Sequence, residues 1–242
     1  MAKNKANEIT ALKQAFDEND LFSNEGQIFS FDAIQTQTQI LNNIDSNKDK
    51  YLAKVKDNQK GLKQKIIETI KIYEKPIDSY SFEDDGLSCG KKYVKREVEI
   101  FYSPSIDIAM YDKNFNNIQT LIRVNKTLTD PKTKEQTFYS EYLIANFRTT
   151  AEDFYNKIIS HWRVETYHYH LDMLMDEDEH IAYKEPYSIA ILRSFALNLF
   201  QLYHNENKGK KLPTGKVTMA EIKRTCKYDD YFTAELFEQE YV

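Results

Sequence analysis

His161, Glu165, His168 and Asp172 recur at i, i+4, i+7 and i+11. That spacing puts them on one face of a helix. Imidazole nitrogens and carboxylate oxygens bind metals, so such a face could hold a cation. The residues alone leave more than one reading open. The face could be a solvated one that happens to hold carboxylates and imidazoles. It could also hold zinc through His161, Glu165 and His168, although that spacing matches no standard zinc motif.

A helix is needed to carry this face, and the surrounding sequence supplies one. Thr150, with Asp153 three residues on and Glu152 in the first turn, is a start signal, Asp being a weaker box partner than Glu. Phe154, Ile158 and Trp162 recur every four residues, as a buried stripe does. No proline or glycine interrupts residues 150–178.

A second acid stands out upstream. Residues 27–33, Gln-Ile-Phe-Ser-Phe-Asp-Ala, read as a short buried strand ending at Asp32. A helix with Ile34, Ile40, Leu41 and Ile44 follows. Residues 51–56 then alternate like a second strand, stop at the turn-prone Asp57-Asn58-Gln59, and lead into a lysine-rich helix closed by Pro76. Preceded by a helix at 7–22, this order predicts an α/β fold with a parallel sheet. In such sheets, sites lie at the carboxyl ends of strands, where Asp32 falls. An Asp there can equally cap the next helix.

From about Tyr93 to Phe147 the chain turns β-rich, with strands expected at 94–102, 118–127 and 137–145. A helix is expected at 188–204, carrying Ile191, Leu192, Phe195, Leu199 and Leu202. The segment from Val217 is short, charged and aromatic.

Composition narrows the class. The chain has 242 residues, is 41% hydrophobic and carries a net charge of −5, which suits a globular protein and argues against one coated in nucleic acid. Basic residues are nevertheless clustered: residues 48–75 hold nine lysines against four acids, and residues 91–96 read KKYVKR. There is no apolar run of membrane-spanning length and no signal-peptide pattern. Cys89 and Cys226 have no CxxC spacing. A cytoplasmic protein with reduced thiols, away from membranes, is expected.

Four patches in order carry a family resemblance: NEITA at 7–11, FDAIQTQ at 31–37, KVKDNQ at 54–59, and HWRVETYHYHLDMLMDEDEH at 161–180 followed by AILRSFALNLF at 190–200. In these the chain resembles DDE-type transposases of bacterial insertion sequences, of the H-repeat-associated branch. The resemblance implies a ribonuclease H-like fold with a β-rich insertion before the last acidic helix. It divides the chain into a partial core at 1–80, the insertion at 81–147, helices completing the core at 148–205, and a charged tail at 206–242.

It also implies function. DDE enzymes use three carboxylates to hold two Mg²⁺ (or Mn²⁺) ions that drive cleavage and strand transfer of DNA phosphodiesters. By position, Asp32 matches the second acid and Glu165 the third. His161 would face the scissile phosphate or orient a ligand. Lys54, Lys56, Asn58 and Gln59 would lie near the DNA backbone, and Asp172 and Asp178 would be supporting acids. The family's first Asp precedes the NEITA patch by some sixty residues or more. Asp17 and Asp20 lie in the wrong element to replace it, the family's His-Gly-Arg-like segment reads Cys89-Gly90-Lys91, and often-basic positions hold Ile181 and Tyr183. The expectation is therefore a truncated transposase, inactive alone. Its partners would be insertion-sequence DNA ends, a second copy, or a separate N-terminal fragment. The competing expectation is a remnant that binds DNA or regulates a transposase without cutting.

Overall fold

The computed structural model describes residues 26–73, 75–88, 92–102, 115, 117–176, 186–212 and 215–238. The helix expected at 7–22, the Cys89-Gly90-Lys91 segment, Asp178, Ile181 and Tyr183 lie outside them. The chain forms two compact units, 1–161 and 162–242.

The first unit is built on β1 (Ile28–Phe31), α1 (Thr38–Ser46), β2 (Lys50–Val55), α2 (Lys60–Ile72), β3 (Asp78–Ser88), β4 (Lys92–Phe101), β5 (Thr120–Thr129) and β6 (Gln136–Ala145). A single 3₁₀ turn, Asp57–Gln59, joins β2 to α2. The six strands make one mixed sheet, ordered β1-β2-β6-β5-β4-β3. The α/β expectation holds, but among the described strands of this sheet only β1 and β2 are parallel. The remaining pairings are antiparallel. Strands 78–145 thus join β1 and β2 in the same sheet, through the β2–β6 pairing.

The helices bury one stripe each against this sheet. Ile40, Leu41 and Ile44 of α1 and Leu62, Ile66 and Ile70 of α2 pack on Phe31, Tyr51, Ala53, Val55, Leu121 and Ile144. The pattern is the i, i+4 spacing of a core-facing helix. Two expectations need correction. Ile34 is not on α1; it sits in the turn before it and is 53% exposed. β1 is not a buried strand: it is the outermost of the described strands on its side, with Ile28 at 42% exposure, and Phe31 is its buried residue.

Strand β3 was not expected. Its acids Glu83 and Asp84 read as solvated charge, and an outer strand can carry such residues because one edge and one face meet water. Asn146 locks the other side of the sheet. Its amide donates to Asp45 Oδ1 and to the Asp49 carbonyl, both at 2.9 Å, while its Oδ1 accepts the Tyr51 N–H at 2.8 Å.

Helix α3 (Ala151–Met175) starts where the sequence placed it. Thr150 Oγ1 accepts the Asp153 N–H at 3.2 Å, satisfying a first-turn donor. Asp78 of β3 accepts the Ala151 N–H at 2.9 Å. The first turns of α3 rest on the sheet, with Tyr155 against the rings of Tyr80 and Phe82. Phe154 and Ile158 are buried, as the stripe predicts, and Trp162 is only half-buried.

The boundary between the units falls within α3. The second unit adds α4 (Pro186–Glu206), the hairpin β7 (Lys211–Leu212) and β8 (Gly215–Lys216), α5 (Met219–Tyr228) and α6 (Asp230–Glu238). The charged segment after Lys211 is therefore folded. Thr218 caps α5 by accepting the Glu221 N–H at 3.2 Å. Leu171, Leu197, Phe200, Ile222, Phe232 and Leu236 form the core of the unit, while Ile191, Leu192, Phe195 and Leu202 stay exposed. Among the described residues no helix is long and apolar enough to cross a membrane.

Candidate functional site

Strands β1 and β2 run side by side in register, Phe31 opposite Ala53, so their carboxyl ends open together. Asp32 is the first residue past β1 and Lys56 the first past β2. Lys56 Nζ lies 3.0 Å from Asp32 Oδ1 and 3.3 Å from Oδ2. Burial would raise the Asp32 carboxyl, but the Ala33 N–H and the ammonium groups of Lys56 and Lys54 outweigh it. The group is held below its ordinary range and is ionised at neutral pH.

The loop carrying Asp32 is stitched in place. Thr36, fully buried, donates its hydroxyl to the Lys54 carbonyl at 2.7 Å and lies 3.2 Å from the Asp32 carbonyl. Asn58 Nδ2 donates to the Ala33 carbonyl at 2.8 Å, and Gln59 Nε2 donates to the Thr36 carbonyl. Sequence reading placed Asn58 and Gln59 near the DNA backbone. In the structure both amides bind backbone carbonyls of the 32–37 loop, so they tie the β2 turn to the Asp32 turn.

Lys54 is also engaged. Its ammonium pairs with Glu141 of β6 at 3.2 Å, and Lys126 of β5 pairs with the same carboxylate at 2.9 Å. Burial pulls the Lys126 ammonium below its usual value. Burial would raise Glu141, yet the two lysines bring it below its ordinary range.

His161 reaches the same end of the sheet. Its Nδ1 lies 3.0 Å from the Ser30 hydroxyl. Ser30 precedes Asp32 by two residues and so projects to the same side of the strand. Neither Ser30 nor Glu141 was singled out from sequence. The period-2 rule would have found Ser30, but nothing local marks Glu141. Glu165 stands one helical turn after His161 on α3 and is exposed, as are His168 and Asp172.

Mg²⁺ prefers anionic oxygens. Asp32 offers an ionised carboxylate whose Oδ1 is shielded from solvent and has no aligned hydrogen-bond donor, only the ammonium beside it. Donor type and charge fit a divalent cation. Among the described residues no three His, Cys, Asp or Glu side chains converge as metal ligands, the His161, Glu165 and His168 set included. A separate cleft of about 450 Å³ is lined by Glu83, Asp84, Tyr93, Lys95 and Thr129 on β3–β5, and Asp32 is not part of it.

No family model matches the chain. Two Escherichia coli (strain K12) proteins do. One bears the name "H repeat-associated putative transposase YhhI" and the other "Putative protein YbfL". Each is 28% identical over a 180-residue alignment that covers 72% of this chain and 46% of the relative. The chain thus spans about half the length of the curated relatives it matches. The resemblance to H-repeat-associated transposases read from the sequence patches holds in this comparison, at low identity.

Proposed function

We propose that the chain acts on DNA as part of a DDE-type transposase, with its parallel β1–α1–β2 unit belonging to a ribonuclease H-like core. The observation that carries this reading is the placement of an ionised Asp32 at the carboxyl end of β1, with His161 of α3 hydrogen-bonded to Ser30 beside it. The similarity to a transposase-named relative supports it. Asp32 is the carboxylate that would hold Mg²⁺ or Mn²⁺, and Glu165 is the acid to which the resemblance assigns the same role. Bound there, the ion would activate water or a 3′-hydroxyl for attack on a phosphodiester. Thr36, Asn58 and Gln59 fix the Asp32 loop so that the carboxylate is preorganised. Ser30 sets the orientation of the His161 ring.

The test is nicking of supercoiled plasmid and joining of labelled ends in Mg²⁺ or Mn²⁺, with Asp32→Asn and Glu165→Gln alongside. Metal-dependent cleavage by the chain co-expressed with an N-terminal fragment of a transposase-named relative, lost in both variants, is the expected result. Cleavage that survives Asp32→Asn would sink the assignment.

One observation favours a second reading, DNA binding or transposase regulation without cutting. Helix α2 holds Lys60 and Lys71 exposed on its outer side, a backbone-binding pattern independent of any carboxylate. Binding that falls steeply with salt, unaccompanied by metal-dependent nicking, would select it.

A further inference from the structure

Resting on the reading that Asp32 receives a divalent cation, we propose that Lys56 is a tethered counter-ion that occupies the cation's place. It must leave Asp32 for the ion to bind, and once released it is free to meet a DNA phosphate. Lys56 would thereby couple metal binding to DNA binding.

The geometry gives the argument. The Lys56 ammonium lies within 3.3 Å of both Asp32 oxygens, the position from which a cation would contact the same pair. One carboxylate cannot hold both close charges without strong repulsion between them. The partner able to move is the lysine. Asp32 sits on a short side chain, in a loop held by Thr36, Asn58 and Gln59. Lys56 has a four-carbon stem and a side chain 51% exposed. Lys54 cannot take over the role, because Glu141 holds it at 3.2 Å and its side chain is only 16% exposed.

Two consequences follow. Metal affinity in the absence of DNA is lowered by the competing ammonium. A DNA phosphate that draws Lys56 away must raise metal affinity, and by linkage metal must raise DNA affinity by the same factor.

The test is Mn²⁺ binding to the full chain followed by electron paramagnetic resonance. Wild type, Lys56→Met, Asp32→Asn and Lys75→Met are compared, each with and without a short DNA duplex. Lys75→Met removes the same charge beyond the end of α2 and controls for net charge. We expect Lys56→Met to bind Mn²⁺ about fivefold more tightly, the upper range for an exposed ion pair, with Lys75→Met unchanged. DNA should tighten Mn²⁺ binding in wild type and not in Lys56→Met. Equal affinity in wild type and Lys56→Met, with binding lost in Asp32→Asn, would overturn the counter-ion role and leave the Asp32 site standing. Binding that is absent throughout, or indifferent to Asp32→Asn, would overturn both.

Discussion

Two carboxylates on the same sheet are treated in opposite ways. Glu99, near the end of β4, is 8% exposed. Arg123 grips it with two hydrogen bonds, the Nη2 one at 2.9 Å, and Asn125 adds a third at 2.6 Å. Asn125 is itself held by Ser140 at 2.7 Å, and the Arg123 guanidinium lies over the Phe101 ring. Asp32, at the end of β1, has one flexible lysine and a side chain 36% exposed. A carboxylate saturated by rigid partners builds the fold. One whose close side-chain partner is a mobile lysine at a strand end remains open to a ligand.

That contrast can be broken most readily at Glu99. Glu99→Ala strands the Arg123 guanidinium and should cost about 3 kcal/mol in urea unfolding. Asp32→Asn should cost less than about 1 kcal/mol, as expected for an exposed pair. Equal costs would erase the distinction.

The next effect concerns the loop rather than the acid. Thr36→Val removes a buried hydroxyl and leaves the Lys54 carbonyl without its donor. About 1–2 kcal/mol is expected, with faster amide hydrogen exchange confined to residues 32–37. Exchange accelerated across the whole sheet would show that Thr36 supports the core and not the loop.

The acid limb of stability sharpens the comparison further. The Glu141 carboxyl lies below its ordinary value of 4.5 in the folded protein, so the folded state binds its proton less readily than the unfolded one. Its contribution is therefore complete above about pH 4.5 and is lost as pH falls through the folded value. Glu141→Gln should lower stability at pH 7 and flatten its decline between about pH 5 and pH 3. An unchanged slope would mean the two lysines do not hold this carboxylate.

The smallest effect belongs to Ser30. Ser30→Ala removes an exposed hydrogen bond and should cost under about 1 kcal/mol, while moving the His161 Nδ1 nitrogen resonance. A resonance that does not move would show that Ser30 does not orient the ring.

Much of this arrangement was legible in the chain itself. Alternation marked β2, and four-residue spacing marked Phe154 and Ile158 on α3. The position of Asp32 at a strand end followed from the order of elements, and the β-rich character of 93–147 from β-branched and aromatic content. What escaped had physical reasons. Strand β3 looks like a charged loop because an outer strand tolerates acids. Lys54 looks like a DNA-facing lysine because its partner, Glu141, lies on a strand far along the chain. Asn58 and Gln59 look like ligand-facing amides because side chains that bind a loop's carbonyls carry no periodic signal. The packing of 211–238 was hidden in a segment whose charges outnumber its few buried residues.

The most direct measurement is where Mn²⁺ lands on the folded chain. Sub-stoichiometric Mn²⁺ added to isotope-labelled protein broadens resonances near the bound ion. The account predicts broadening centred on Asp32, with Ser30, Lys56 and His161 affected and Arg123 and Asn125 spared, all of it absent in Asp32→Asn. Broadening centred on Glu99, or unchanged by Asp32→Asn, would contradict the claim that the β1 carboxyl end is the open site.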